Sequence, residues 1–444
     1  MRCTLPLVLI GVVGVGGPAG AQELDKATVK ASIDKGLAWL QEQQKPDGTF
    51  EAANLGGGMH ETNYPIGRCA LGTLTLLKCG VPPNDRSIQA AFAYMYAQPL
   101  EKTYGVAMLI LAIEARYVPA KDELEKELEK KGYGSIARKK FQKKASPADR
   151  QKLQECVDWL VANRSPRVWR YPGAAQDGAT EDNSNAQYAM LALKSASRMG
   201  IKVDPDVFAK VADYFVENQD PKGEPVKWFP VPAADGPIYD MVPPLKREKE
   251  LEKAHKKADR DSKKGDGGET AERGEGSGGR PSGGSESHKM EARGWSYLPR
   301  SVSSQHNIST GSMTASGVAA LCIAKSELER SKGWGPRREK VEQAIRDGCA
   351  WLSKYFITTA NPTATNMTFN WKYYYLYGTE RAGVLAGTYT FGAHDWWDEG
   401  ALHLLKAQKS EGDWPDEAPG LSSFCDTCFA LLFLKRATIP LSLR

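Results

Sequence analysis

After residue 15 no apolar run approaches the ~20 residues that a membrane-spanning helix needs, which leaves the body of the 444-residue chain without a candidate span. Charge of one sign is also scarce. Lys and Arg number 59 against 54 Asp and Glu, a formal +5 that gives no nucleic-acid footprint by itself. Cysteine totals 8, mostly inside apolar helical patterns such as those around Cys69 and Cys322, which excludes a disulfide scaffold and suggests small buried hydrophobes. Histidine is rarer still at 6, so acid–base or metal chemistry has few residues to work with.

What is present begins with an export signal. Arg2, an apolar run over 5–15 and the small residues Ala19, Gly20 and Ala21 form a secretory signal peptide over 1–21. The mature chain is therefore expected to be secreted or periplasmic, with no stable membrane insertion after cleavage. Removal of Cys3 leaves an odd number of cysteines, which again argues against systematic pairing.

One unit then recurs: an amphipathic helix, a Gly/Pro/Asp turn, and a second helix rich in Ala and Leu. The first type is predicted over 29–44, 87–98, 149–163, 207–218, 339–356 and 395–408. The second is predicted over 64–79, 103–115, 184–199, 312–328, 373–385 and 426–437. Trp39, Trp159 and Trp351 lie near the ends of first-type helices, while the second type is nearly apolar all round and must be buried. Alternation of the two implies concentric layers, and six pairs is the number that closes an all-α (α/α)6 toroid across 22–444.

Two segments interrupt the pattern. Over 121–148, Leu124 and Leu128 sit among i,i+4 charge pairs, as in an exposed helical insertion. Over 246–291 a mixed-charge stretch passes into Gly- and Ser-rich sequence that cannot bury enough apolar surface to offset chain entropy, so a disordered insertion is expected.

The turns carry a motif. Gln44, Gly48 and Phe50, and again Gln408, Gly412 and Trp414, share the spacing Gln-x-x-x-Gly-x-aromatic, with Gln219 and Gly223 a partial copy. This resembles the repeat of squalene and oxidosqualene cyclases, and through it the terpenoid cyclase and protein prenyltransferase superfamily. The resemblance covers nearly all of the mature chain apart from the insertions. It implies a toroid with a central cavity for an apolar or extended small-molecule or polymeric ligand.

The superfamily's catalytic residues are largely missing. Bacterial squalene cyclases protonate an alkene with an Asp-x-Asp-Asp-Thr motif at the start of an inner helix; here Asp182 is followed by Ser184 and Asn185 at the positions of the later carboxylates. In the last repeat only Asp426 and Thr427 remain of that motif. Prenyltransferase β-subunits bind zinc partly through the His of a His-Thr-Cys-Tyr run, and Asp426 stands where that His would be. Cys425 and Cys428 lack a second Cys pair, so neither a metal nor a cofactor is expected.

Candidate catalytic residues are therefore Asp182, Asp426 and His306, and candidate ligand-binding residues are His60, Glu61, Tyr373, Glu380 and Arg381, all expected at one mouth of the barrel. An N-terminal Asp can equally be a helix cap, and each of the others can simply hold a loop. Three functions stay open: a ligand-binding toroid of doubtful catalysis, a terpene cyclase or isomerase using a relocated acid, and a polysaccharide lyase or hydrolase.

Overall fold

The computed structural model describes residues 24–50, 64–118, 145–171, 181–238, 241, 289–302, 307–365, 368–415 and 422–441. The expected signal peptide and most of both insertions lie outside these residues. What is described is mostly helical. In chain order the helices are α1 (Lys26–Glu42), α2 (Pro65–Lys78), α3 (Arg86–Ala97), α4 (Thr103–Ala115), α5 (Pro147–Ala162), α6 (Asn183–Arg198), α7 (Pro205–Asn218), α8 (Pro232–Asp235), α9 (Gly311–Leu328), α10 (Arg338–Tyr355), α11 (Lys372–Ala386), α12 (Trp396–Ala407) and α13 (Ser423–Leu434).

Side-chain caps set the starts. Asp25 accepts from the Ala27 and Thr28 amides and begins α1 three residues ahead of the apolar periodicity at Val29. Ser146 accepts from Asp149 N–H, and Pro147 occupies the first turn, so α5 begins inside the segment expected to be an insertion. The last helix sits three residues earlier than the sequence pattern suggests, because Arg436 turns to a φ of +45° and ends it.

Helices alternate in burial. α1 buries Val29, Ile33, Gly36 and Leu40, a single stripe at helical spacing. By contrast α11 buries every residue from Lys372 to Ala386, and α6 every residue from Asn183 to Ala196. The enclosed helices pack in sequence: α2 on α4, α4 on α6, α6 on α9, α9 on α11, α11 on α13, and α13 back on α2. The striped helices pack against them, α1 on α13, α3 on α2, α5 on α4, α7 and α10 on α9, and α12 on α11 and α13. Among the described residues no helix is long and apolar enough to cross a membrane, and no disulfide joins the cysteines.

The hairpin motif is built as three near-identical loops. Gln408 Nε2 donates to the Gly412 carbonyl (2.8 Å) and to Ser32 O (2.9 Å), while Lys409 N–H reaches Asp413 O (2.9 Å). Trp414 then donates its indole N–H to Leu404 O (2.9 Å), and its amide donates to Thr427 Oγ1 (3.1 Å). Gln44 repeats the first contact with Gly48 O at 3.1 Å. Gly48 and Gly412 have φ of +85° and +109°, and a Cβ on Gly48 would stand 2.1 Å from Ala91 N, so only glycine fits.

The third copy, read as partial, has its aromatic but not the glycine, since Arg293 supplies the carbonyl that Gln219 Nε2 reaches at 3.0 Å. Its aromatic is Trp295, on the far side of the 246–291 segment. Trp295 Nε1 donates to Phe215 O (2.7 Å), its amide to Thr314 Oγ1 (3.2 Å), and Asp220 N–H to Gly294 O (2.9 Å), contact for contact the pattern around Trp414. The long segment is thus spliced into a hairpin loop without altering the fold around it. Its end also differs from expectation: residues 289–291 are described, and β2 (Met290–Glu291) pairs antiparallel with β1 (Pro225–Val226). Two further two-stranded ladders join β3 (Asn361–Pro362) to β4 (Thr368–Phe369) and β5 (Thr390–Phe391) to β6 (His394–Asp395).

Candidate functional site

The N-terminal ends of α4, α6, α9 and α11 gather around a cavity of about 360 Å³. Six rings form most of its wall: Tyr104, Tyr171, Tyr297, Phe369, Trp371 and Tyr374. Tyr104 stacks on Tyr171 with centroids 5.6 Å apart and leans on Tyr188 at 4.8 Å. Ser184, Thr310, Ser312 and Asn361 supply neutral polar groups, with Ile308 and Met313 between them. Among the described residues, none lining this cavity carries a carboxylate, amine or guanidinium.

The polar groups are held rigidly. Asn361 accepts from the Ser312 amide (2.9 Å) and donates to its hydroxyl (3.0 Å), and Thr310 caps α9. The Tyr104 and Tyr374 hydroxyls lie 3.2 Å apart. Gln187 Nε2 donates to Tyr374, and Arg381 donates to Gln187 Oε1 at 2.9 Å, so a hydrogen-bond chain runs from a buried guanidinium to the cavity wall. Burial pushes the Tyr104, Tyr171 and Tyr374 phenols well up, which keeps them neutral donors.

Trp371 is unusual. It precedes α11 with φ +78° and ψ +35°, a left-handed conformation that a bulky residue adopts only at a cost, and it remains 40% exposed at the cavity.

The expected site residues fall in different places. Asp182 is fully buried and caps α6: Oδ1 accepts from Ser184 Oγ (2.7 Å) and Asn185 N–H (2.7 Å), Oδ2 from Asn185 Nδ2 (2.9 Å). Burial raises its pKa against the pull of those hydrogen bonds, but it is Ser184 and not Asp182 that faces the cavity. Asp426 is buried in the first turn of α13 and does not line the cavity either. Tyr373 is buried one position out of register; its neighbour Tyr374 holds the wall.

Glu380 and Arg381 are not at this mouth, which corrects the single rim expected for the set. They lie eight and nine residues beyond the start of α11, a descent of about 12–14 Å at 1.5 Å per residue. Glu380 accepts from Thr438 N–H (3.0 Å) and its hydroxyl (2.5 Å), beyond the end of α13. Arg381 donates to Tyr188 OH (3.3 Å) as well as to Gln187, and lines a second cavity at the opposite helix ends. His60, Glu61 and His306 lie outside the described residues.

The residues that sequence reasoning missed are the rings. Tyr104 stands in the first turn of a helix that is small or aliphatic up to Glu114, and Tyr374 in the run of tyrosines that opens α11; these placements were the available signal. A second signal was charge in the last turns of such helices. Glu114 of α4 accepts from Arg198 of α6 through two bonds (2.7 and 3.0 Å) and from Ser195 Oγ (2.6 Å). Burial alone would raise the Glu114 pKa; Arg198, Lys78 and Ser195 outweigh it and hold the carboxyl below its ordinary value. No family model matches this chain, and no curated protein matches it at a significant level.

Proposed function

We propose that the chain is an exported, secreted or periplasmic (α/α)6 toroid of the terpenoid cyclase and protein prenyltransferase type. Its aromatic cavity takes an uncharged apolar or extended ligand and performs no alkene-protonating chemistry. The order of packing, in which the sixth enclosed helix returns to the first, supports the toroid. The hairpin loops at Gln44, Gln219 and Gln408 support the superfamily. The observation that carries the function is the lining: rings and neutral hydroxyls, with no charge among the described residues to repel a hydrocarbon or to transfer a proton.

The cyclase reading has one observation in its favour, the raised pKa of Asp182, since a proton donor must be protonated. Against it, every contact of that carboxyl is local, and the Ser184 hydroxyl stands between it and the cavity. Nor do Arg381 and Tyr373 line this cavity as a glycan-degrading site would use them.

Incubation with squalene followed by gas chromatography should return no cyclic triterpene, from the parent and from Asp182→Asn and Asp426→Asn alike. A cyclic product made by the parent and lost in either variant would replace this reading with the cyclase one.

A further inference from the structure

The hydrogen-bond chain that ends at the aromatic cavity has a direction, and its first member sets it. A guanidinium stays charged and carries donors only. Arg381 therefore fixes the Gln187 amide: Oε1 faces the guanidinium at 2.9 Å, so Nε2 is the atom that faces Tyr374. The Tyr374 oxygen receives a proton there that it cannot return, and its own hydroxyl proton has to point elsewhere. Burial keeps both the Tyr374 and the Tyr104 phenol protonated.

Tyr374 and Tyr104 carry two hydroxyl protons between them, and their oxygens stand 3.2 Å apart. One proton joins the two oxygens, in either sense. The other is left over, whichever phenol holds it. In the described wall Ser184 Oγ can receive it while the cavity is empty, since it interacts with Tyr104 and its own proton goes to Asp182 Oδ1 at 2.7 Å. A donor at the end of a chain that begins at a fixed positive charge is strengthened along that chain. The wall can thus give one hydrogen bond to an oxygen that a ligand brings, and a pure hydrocarbon would leave it unused.

A second polar cluster in the wall is less well directed. Asn361 bonds both the amide and the hydroxyl of Ser312, and that hydroxyl lies 3.2 Å from the one on Thr310. This cluster also has a hydroxyl proton to spare, but no charge stands behind it and nothing fixes which hydroxyl gives it.

We infer, resting on the apolar reading of the cavity, that its ligand is an oxygenated hydrocarbon, an alcohol or a ketone, whose oxygen accepts the spare proton of the Tyr104 and Tyr374 pair. Tyr104 and Tyr374 set this specificity by contact. Gln187 and Arg381 are positioning residues that act through them.

Binding of cyclododecane, cyclododecanol and cyclododecanone to the full mature chain, read by displacement of Nile red, tests it. Gln187→Glu keeps the shape but puts an acceptor-only carboxylate beside Arg381. Tyr374 must then donate to it and Tyr104 to Tyr374, and no proton is left over. The affinity for cyclododecanone relative to cyclododecane should fall about fivefold to tenfold in this variant, the scale of one neutral hydrogen bond. Cyclododecanol, which can donate to the phenol oxygens instead, should lose less. The double variant Tyr104→Phe with Tyr374→Phe should lower both ratios by that factor, and it keeps the test open if the buried glutamate prevents folding. General loss of packing cancels in a ratio to the hydrocarbon, so a merely structural role would leave the ratios unchanged. Binding of all three compounds with ratios that neither variant moves overturns this inference and leaves the apolar reading standing. Displacement by none of the three overturns both.

Discussion

The two ends of the same enclosed helices are built from opposite chemistry. At the N-terminal ends the chain places rings and hydroxyls around a roomy cavity; at the C-terminal ends it places two lysines, two arginines and Glu114 around a cramped one. Helix dipoles explain part of the contrast, since Asp182 caps α6 and Asp426 sits in the first turn of α13, while Lys78 and Arg198 lie in last turns. The difference teaches where stability and recognition reside. The charged end is a set of mutually dependent contacts that fastens α4 to α6 and α6 to α9, whereas the aromatic end leaves room unfilled and holds a strained tryptophan at its mouth.

If that division is correct, the largest loss should come from the charged end. Glu114→Leu removes the buried carboxylate that holds the partly buried Arg198 guanidinium and should destabilise by about 3–5 kcal/mol in urea unfolding. A change below about 1 kcal/mol, the scale of an exposed pair, would erase the distinction between the ends.

The same carboxylate gives a pH signature. Its folded pKa lies below its ordinary 4.5, so the folded state binds fewer protons than the unfolded state near that pH. The stabilisation is therefore complete above the unfolded value and is lost as pH falls through the folded one. Glu114→Gln, though less stable throughout, should show a shallower decline than the parent from about pH 4.5 downward. Parallel declines would mean that another acid governs this limb.

Changes at the aromatic end should be smaller and of mixed sign. Trp371→Gly removes a left-handed tryptophan and should raise stability by about 1 kcal/mol, since strain of this kind costs of order 1–3 kcal/mol and some ring contact is lost with it. A loss of stability would show that Trp371 is a packing residue and its conformation no reservoir for binding. Tyr374→Phe deletes the hydroxyl shared by Tyr104 and Gln187 and should cost about 1 kcal/mol, smaller than any effect at the charged end.

Much of the fold was legible, and the reasons are local. The α6 pattern predicted over 184–199 is found at Asn183–Arg198, because Asp182 caps it and the apolar run continues to its last turn. The loops at Gln44 and Gln408 were legible because motif and contact coincide within seven residues. Trp295 was not, because a long insertion separates it from Gln219 and only three-dimensional contact restores the spacing. The aromatic cavity was equally hidden: its rings come from several helices and loops, each contributing one or two residues that look like ordinary core. Arg381 was expected at the same mouth as the other candidates, but its depth along α11 moved it to the other end.

The central claim is that the aromatic cavity holds an uncharged apolar ligand, and organic extraction of the purified mature protein followed by mass spectrometry tests it most directly. The parent should release a neutral, organic-soluble compound in near-stoichiometric amount, and Met313→Trp, which fills the cavity from α9, should release much less while remaining folded. Equal amounts from both proteins, or only water-soluble charged material from the parent, would contradict the account.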